Sequence, residues 1–256
     1  MSSMDHHRIK EEQRALYEAG DYAALSATLR PAAFDLVATA GVQAAHRVLD
    51  VGAGDGNLSI EATDLGALAV ACDLSVIQMA RARRRDARVA SVAADAEHLP
   101  FADHSFEAVL SCFGAVFAPD PDAATAELFR VVRTHGVVAL TSWPDDDMMA
   151  EMAAAARASV ASPEMFPDQD LGWGDAETAR SRFKRHCREV EIYRRMLIID
   201  PAVRGAAGAQ DCAARYLTRH TGGDALATVR AEILRRYARP DGTLTAHYFL
   251  VLGRPG

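Results

Sequence analysis

Three glycines stand at alternate positions in the stretch RVLDVGAGDGNLSI, residues 47–60, with acidic residues close by. Gly52, Gly54 and Gly56 contribute no side chain to a core, and glycine loses more conformational entropy on folding than any other residue. Glycine is the usual choice where the backbone must come close to a ligand or adopt an unusual conformation. The pattern therefore predicts that a ligand binds against this backbone.

The spacing of the glycines indicates what kind of ligand to expect. A dinucleotide site has the pattern G-x-G-x-x-G, in which the N-terminus of a helix binds a pyrophosphate. Here the pattern is G-x-G-x-G, and Asp50 lies two positions before the first glycine. Because a carboxylate at that place would repel a pyrophosphate and attract a cation, we expect a cationic ligand rather than a dinucleotide.

The elements that position this stretch alternate between strands and helices. Strand-like apolar runs occur at RVLDV, ALAVACD, RVASVAAD, FEAVLSCF and GVVALTSW, with helical segments among them that Ser75 and Asp120 would cap. Strands connected through helices favour right-handed crossovers and a parallel sheet covered on both faces. The sequence thus predicts an α/β, doubly wound, Rossmann-like fold. In such folds ligands bind beyond the carboxyl ends of the strands, which is where the glycine stretch lies.

Beyond Trp143 the pattern changes. Residues 144–187 and 201–239 are predicted to be helical inserts, and EVEIYRRMLII and TLTAHYFLVLG return to strand. Residues 8–40 are predicted to be N-terminal helices with breaks at Gly20 and Pro31, the proline standing at a helix start. We expect a single domain over residues 1–256, built on a seven-stranded, mostly parallel sheet with a helical cap.

The composition argues against several classes of protein. The net charge is −7, which disfavours a nucleic-acid-binding surface. No apolar run approaches the roughly 18 residues of a membrane span. The N-terminal stretch MSSMDHHRIKEEQRAL lacks the apolar segment of a signal peptide, so we expect a cytoplasmic protein. The one basic cluster, RARRR at 81–85, is expected to be the solvated face of a helix, with a phosphate site as the alternative.

The four cysteines have neither disulfide nor metal-ligand spacing. We expect them to be reduced and to pack as small apolar side chains, and we expect no metal ion. They are Cys72, Cys112, Cys187 and Cys212.

Several stretches resemble the class I S-adenosylmethionine-dependent methyltransferases, most closely the ubiquinone/menaquinone-biosynthesis type and its small-molecule relatives. LDVGAGDGN is similar to the first motif of that family, ACDLSVIQMARAR to its second strand and the following helix, and ADAEHLPFADHSFEAVLSCFGAVFAPD to its third and fourth strands. The likeness covers residues 40–145 and is weaker beyond them. One departure, RTHG where the family has R-P-G-G, falls in a turn before the fifth strand, where we expect no functional effect.

The resemblance implies S-adenosyl-L-methionine as the cofactor and assigns five residues to its methionine end. Gly52 and Gly54 would let the backbone approach the ligand, and Asp50 would bind its ammonium group directly or through water. The carbonyl of Ser111 would also hold this ammonium group, with Phe113 beside it. A carboxylate near a cationic ligand agrees with the expectation drawn from the glycine spacing.

Five further residues would hold the nucleoside end. Asp73 follows the second strand and would accept hydrogen bonds from two ribose hydroxyls, since an ionised carboxylate offers two oxygens. Leu74 and Met79 would flank the adenine. Asp95 would accept a hydrogen bond from the adenine amino group, and the backbone of Ala96 would contact the ring.

No motif identifies the methyl acceptor. We expect a small, largely apolar molecule, methylated on oxygen, nitrogen or carbon, under the helical inserts. The aromatic residues Trp143, Phe166 and Trp173 are predicted to form the core of the cap or to line such a pocket. The alternative function is that of a protein of the same fold that binds the cofactor but catalyses another reaction, such as a cyclisation, or acts as a binding module. The sequence leaves open whether the protein is a monomer or a homodimer.

The sequence also names weak candidates for a catalytic base. A base is needed only where the acceptor is a poorly ionised hydroxyl or a carbon acid. His220 lies on the late insert, His186 closes the earlier insert, and Tyr22 lies on the N-terminal helices, which in the family cover the cofactor.

Overall fold

Seven strands of the computed structural model carry the fold. They are β1 Arg47–Val51, β2 Leu68–Asp73, β3 Ala90–Ala93, β4 Phe106–Cys112, β5 Val132–Ser142, β6 Glu189–Ile199 and β7 Leu244–Arg254. The structure describes residues 3–19, 22–158, 171–200 and 223–256. The strands form one sheet in the order β3-β2-β1-β4-β5-β7-β6.

Helices lie before and between the strands. They are α1 Ser3–Ala19, α2 Tyr22–Thr39, α3 Asn57–Asp64, α4 Val76–Arg85, α5 Pro121–Val131, α6 Met148–Ala158, α7 Ala176–Lys184 and α8 Gly223–Tyr237. A short 3-10 helix at Ala115–Phe117 follows β4. In the described part of the chain, no helix combines the length and the apolar character needed to cross a bilayer.

The direction of the strands confirms the predicted α/β fold. Strands β1 to β5 pair in parallel, whereas β7 is antiparallel to both β5 and β6. The chain moves outward from β1 to β2 and β3 and then returns to place β4 on the other side of β1. The strand order therefore reverses between β1 and β4, and the loops that follow these two strands flank the reversal point.

Both faces of the sheet are buried, because successive strand residues point to opposite sides. Val48 packs in one core with Leu36 of α2. The next residue, Leu49, packs in another core with Leu128 of α5 and Phe183 of α7. All five side chains are almost completely buried. This burial on two faces explains why the parallel strands are continuous apolar runs rather than alternating ones.

The N-terminal helices differ from the prediction at Pro31. The predicted break there is wrong, since α2 continues through the proline. An interior proline removes one helical hydrogen bond and costs about 3 kcal/mol. The following turns bury Ala32, Ala33 and Leu36 completely, and this tertiary packing outweighs the local cost.

Three later helices have side-chain caps, and the caps predicted at Ser75 and Asp120 are confirmed. Ser75, Asp120 and Asp175 each accept a hydrogen bond from the backbone N–H three residues further on. Such a cap satisfies an N–H group that has no partner inside the helix. Each cap fixes where its helix begins after a strand or loop, and Ser75 does so at the edge of the sheet where the glycine stretch lies.

The first insert is divided between the two faces of the sheet, and the second insert shares one of these faces with it. From the first insert, α6 packs against α8 of the second, and the Tyr237 hydroxyl donates to Glu151 Oε1 over 2.9 Å. By contrast, α7 packs against α5 and the strands β6 and β7 on the opposite face. Residues 159–170 and 201–222 lie outside the described residues, and with them Phe166, one of the aromatic residues predicted for the cap.

Candidate functional site

A cavity of about 260 Å³ opens at the carboxyl edge of the sheet, beside the reversal point. It brings together eight of the ten residues that the resemblance assigns to the cofactor. These are Asp50, Gly52, Gly54, Asp73, Leu74, Asp95, Ala96 and Phe113. They come from the ends of four neighbouring strands, which the parallel sheet places at one edge.

The glycine turn after β1 forms the floor of this cavity. Gly52 has a φ of +67° and Gly54 a φ of +55°, in the left-handed region that glycine adopts without strain. A Cβ atom on Gly52 would lie 2.6 Å from the Cα atom of Gly114, so the two backbones touch. A Cβ atom on Gly54 would meet nothing within 4 Å, because that side of the residue faces open space. Gly54 is thus where a ligand can approach the backbone.

Asp50 lines the cavity with a carboxyl group that is only partly satisfied. Its Oδ2 atom accepts hydrogen bonds from the backbone N–H of Ser59 at 3.0 Å and from the Ser59 hydroxyl at 2.7 Å. Its Oδ1 atom is buried and has no hydrogen-bond partner among the described residues. Burial raises the pKa of Asp50 to about 7, against the lowering effect of the Ser59 hydrogen bonds. A cation that enters the cavity would satisfy Oδ1 and stabilise the charged form.

Asp73 connects the glycine turn to the start of α4. Its Oδ2 atom accepts from the backbone N–H of Gly54 at 2.9 Å, and its Oδ1 atom accepts from the backbone N–H of Ser75 at 2.9 Å. Burial raises its pKa above the ordinary value, and these two hydrogen bonds oppose the shift. Because each carboxylate oxygen can accept a second hydrogen bond, both remain able to bind a ligand diol.

Asp95 lies at the other end of the cavity and is paired with a lysine that the sequence analysis did not assign to the site. The Nζ atom of Lys10, on α1, donates to Asp95 Oδ2 at 2.7 Å and also to Glu97. The ligand atoms of Asp95, Glu97 and His98 lie within 4.8 Å of one another, a spacing that a metal ion could use. The ammonium group of Lys10 already bridges Asp95 and Glu97 and offsets one of their two negative charges, so we do not interpret the cluster as a metal site.

The opposite wall of the cavity is apolar. The rings of Phe113 and Trp143 are stacked, with centroids 4.0 Å apart and planes 9° from parallel. Leu29 of α2 and Met149 of α6 line the same cavity. Cys112 also lines it, and burial raises the pKa of its thiol to about 12, so the thiol stays protonated at neutral pH. This wall suits an uncharged organic surface rather than a polar one.

Two predicted cofactor residues do not line the cavity. Met79 is buried in a small core with Ala71 and Ala82, and the preceding residue, Gln78, lines the cavity instead. The helical turn of α4 directs Met79 toward the sheet, so the predicted contact of Met79 with the adenine has no support from the lining of this cavity and stays a prediction. The side chain of Ser111 is buried behind the cavity, where its hydroxyl donates to the carbonyl of Val51 and accepts from the backbone N–H of Ala115.

The structure adds lining residues that the motifs did not indicate. Ser26 of α2 donates to Asp55, and Arg85 of α4 makes a 2.7 Å ion pair with the same carboxylate. Arg85 also donates to Asn57 Oδ1 at 2.9 Å. The RARRR segment is therefore not only a solvated face, because its last arginine ties α2 to the glycine turn. No local signal reveals this, since Ser26 and Arg85 are 59 residues apart.

The weak catalytic candidates are not gathered at the cavity. His186 stacks on Phe129 with ring centroids 5.1 Å apart and is not among the lining residues. Burial and the neighbouring Arg185 lower its pKa. His220 lies outside the described residues, and α2 begins at Tyr22, whose side chain is likewise not described. Trp173 packs with Phe183 and does not line the cavity.

Comparisons with known proteins identify the family. Residues 49–140 match the family model described as a methyltransferase domain. An uncharacterized protein of Mycobacterium tuberculosis is 39% identical over 149 residues, which are 56% of this chain and 54% of that protein. The chain thus spans about half the length of that relative. A demethylmenaquinone methyltransferase of Renibacterium salmoninarum is 34% identical over 169 residues, which are 55% of this chain and 71% of that enzyme. The chain belongs to the methyltransferase family.

Several solved structures share the fold of this chain. The YcgJ protein of Bacillus subtilis has a TM-score of 0.57 at 19% identity, covering 88% of this chain and 99% of its own. A phosphoethanolamine N-methyltransferase of Haemonchus contortus, in complex with phosphomonomethylethanolamine and S-adenosylhomocysteine, has a TM-score of 0.57 at 17% identity, covering 88% and 53%. The cyclase SpnF has a TM-score of 0.53 at 19% identity, covering 88% and 81%. At these identities the likeness concerns the fold alone.

Proposed function

We propose that the protein transfers a methyl group from S-adenosyl-L-methionine to a small, largely apolar molecule. The observation that carries the proposal is that no described residue forms a hydrogen bond with the buried Oδ1 atom of Asp50. Asp50 lines the cavity beside the glycine turn, which is open to a ligand at Gly54. An unsatisfied carboxylate oxygen is costly unless a bound group completes it. The ammonium group of the cofactor is such a group, and the residues present fit it.

The remaining cofactor contacts follow from the strand ends. Asp73 would accept from the ribose hydroxyls with the lone pairs left free by Gly54 and Ser75. Asp95 would accept from the adenine amino group, with the backbone of Ala96 beside the ring and Leu74 against one side of it. These residues line the cavity at the end of β2 and in the loop that follows β3.

The bound cofactor would supply an activated methyl group on a sulfonium, which departs as a neutral thioether. The protein then has to hold the acceptor in line and keep water away. The stacked rings of Phe113 and Trp143, with Leu29 and Met149, provide an apolar wall for an acceptor. We assign no general base, because His186 does not line the cavity and the side chains of His220 and Tyr22 are outside those that the structure describes.

The proposal is tested by incubation with isotopically labelled S-adenosyl-L-methionine and a panel of lipophilic phenols, quinols and macrolactones, followed by mass spectrometry. We expect at least one compound to gain a single labelled methyl group, with release of S-adenosylhomocysteine. A compound that is converted to an isomer without taking up label would instead support a non-methylating reaction on the same fold. Asp50→Ala serves as the control that removes the cofactor contact.

A further inference from the structure

Two side chains of α1 attach this helix to the loops at the carboxyl edge of the sheet. Lys10 donates to Asp95 and Glu97 in the loop after β3. The side-chain amide of Gln13 donates to the carbonyl of Phe117, after β4, over 2.9 Å. Lys10 and Gln13 both line the cavity, so α1 forms part of its wall.

The Lys10 contact is more buried than an ordinary surface ion pair. The lysine side chain is 14% exposed, and that of Glu97 is 4% exposed. Burial alone would lower the pKa of Lys10, but its hydrogen bonds to Asp95 and Glu97 and the charges of these residues outweigh this effect and raise it. The lysine therefore stays charged, and its charge is what allows two carboxylates to lie side by side at the cavity.

The two carboxylates have different second partners. Glu97 Oε1 accepts from the backbone N–H of Asp120 at 2.8 Å, at the start of α5. Asp95 Oδ1 accepts from the backbone N–H of Glu97 at 3.0 Å. Because Lys10 binds Oδ2 and the Glu97 N–H binds Oδ1, both oxygens hold the plane of the Asp95 carboxylate in place. The Asp95 side chain is still 27% exposed and lines the cavity.

We propose that Lys10 is a positioning residue for nucleoside recognition: it holds the Asp95 carboxylate in the orientation that accepts a hydrogen bond from the adenine amino group. This inference rests on the proposed function, since it requires that the cavity bind the cofactor. Lys10 does not itself touch the adenine in this account. It acts by compensating the Asp95 and Glu97 charges and by preventing the Asp95 carboxylate from rotating away.

The test compares two ligands in two variants by calorimetry. The ligands are S-adenosylhomocysteine and S-inosylhomocysteine, in which a carbonyl oxygen replaces the adenine amino group. The variant is Lys10→Met, which nearly keeps the length of the side chain and removes its charge. The control is Lys184→Met, because Lys184 is the only other lysine of the chain, is exposed, and does not line the cavity.

We expect the wild-type protein to bind the adenosine ligand at least about tenfold more tightly than the inosine ligand, the size of effect expected for a hydrogen bond to a charged group. Lys10→Met should reduce this ratio toward one, whereas Lys184→Met should leave it unchanged. An equal loss of affinity for both ligands in Lys10→Met, or an unchanged ratio, would overturn the proposal. If the wild-type protein binds neither ligand, the proposed function itself fails, and the role of Lys10 fails with it.

A second measurement needs no variant and guards against misfolding of Lys10→Met. A lysine-selective acylating reagent is applied to the wild-type protein, and modification of Lys10 and Lys184 is followed by peptide mass spectrometry. Lys10 should react more slowly than Lys184, and S-adenosylhomocysteine should slow Lys10 further without affecting Lys184. A Lys10 rate that the ligand leaves unchanged would contradict the proposal.

Discussion

The backbones of Gly52 and Gly114 touch at the point where the strand order of the sheet reverses. A Cβ atom on Gly52 would approach the Cα atom of Gly114 to 2.6 Å and its carbonyl carbon to 2.8 Å. Gly52 follows β1 and Gly114 follows β4, so the two glycines let adjacent strand ends converge at the cavity. The first glycine of the motif is therefore required by the packing of two loops, whereas Gly54 is the one that leaves space for a ligand.

This division predicts different outcomes for two alanine substitutions. Gly52→Ala should lower the free energy of unfolding by clearly more than the about 1–2 kcal/mol that left-handed backbone costs a non-glycine residue, because a backbone clash is added. Gly54→Ala should cost only that amount, yet it should weaken binding of S-adenosylhomocysteine. Chemical denaturation measures the first effect and calorimetry the second.

Gly41 provides the matched control for Gly54. It has a φ of +70°, has open space where a Cβ atom would lie, and does not line the cavity. Gly41→Ala should destabilise the protein about as much as Gly54→Ala and leave ligand affinity unchanged. If Gly54→Ala and Gly41→Ala bound the ligand equally well, Gly54 would not be in contact with it.

Asp50 should make stability depend on pH. Its pKa is about 7 in the folded protein, against 3.8 for an unperturbed aspartate, so the folded state binds a proton more tightly than the unfolded state. The contribution of the protonated Asp50 to the free energy of unfolding is present at low pH. It is lost as the pH rises from the unfolded-state pKa of 3.8 through the folded-state pKa of about 7, by up to about 1.4 kcal/mol per pH unit. The free energy of unfolding of Asp50→Asn relative to that of the wild-type protein should therefore rise between pH 5 and about 8, as followed by chemical denaturation at each pH.

Ionisation of Asp50 should strengthen ligand binding, although it lowers the stability of the ligand-free protein. The ammonium group of the ligand prefers the ionised Asp50, so the affinity of the wild-type protein for S-adenosylhomocysteine should rise from pH 6 to about 8 and then level off. Asp50→Asn should bind weakly with a flat profile. Parallel profiles for the two proteins would show that Asp50 does not face the ligand.

Much of this site could be predicted from the sequence, because its residues occur in short motifs at strand ends. Asp50, Asp73 and Asp95 lie at or just after the ends of three apolar runs, and the parallel sheet brings such positions together without further information. Met79 could not be placed in the same way. Gln78 and Met79 are neighbours on one turn of α4, and both are buried. Only the packing of α4 on the sheet decides that Gln78, rather than Met79, faces the cavity.

The contributions of the helices to the cavity were harder to foresee. Lys10 reaches Asp95 across 85 residues, and Arg85 reaches Ser26 across 59. Isolated charged residues of this kind are usually solvated, and nothing in their neighbours indicates a partner far along the chain. The interior proline of α2 was misleading for a related reason, since its local cost is offset by buried contacts that no local pattern reports.

The acidic lining predicts which nucleotides will not bind. Asp50, Asp55 and Asp73 surround the glycine turn, and Asp55 is already neutralised by Arg85. A pyrophosphate would meet the other two carboxylates at short range. Millimolar NAD or ATP should therefore fail to displace S-adenosylhomocysteine in a competition titration. Displacement by either nucleotide would mean that the glycine turn binds phosphate.

Trp143 should affect the acceptor rather than the cofactor. Its ring stacks on Phe113 at the apolar wall of the cavity. Trp143→Leu should leave the affinity for S-adenosylhomocysteine within about twofold and raise the KM for an acceptor found in the methylation panel, because the lost apolar contact is on the acceptor side. An unchanged KM would place the acceptor elsewhere on the protein.

The most direct test of the account is a calorimetric titration of S-adenosylhomocysteine into the wild-type protein and into Asp73→Ala. We predict one binding site per chain in the wild-type protein, and a loss of about 1.5–3 kcal/mol in binding free energy in the folded variant, as expected for hydrogen bonds to a charged group. Ligand at 100 times its Kd should also raise the free energy of unfolding of the wild-type protein by about 2.7 kcal/mol. Absence of binding to the wild-type protein at millimolar ligand, or equal affinity in a folded Asp73→Ala variant, would contradict the account.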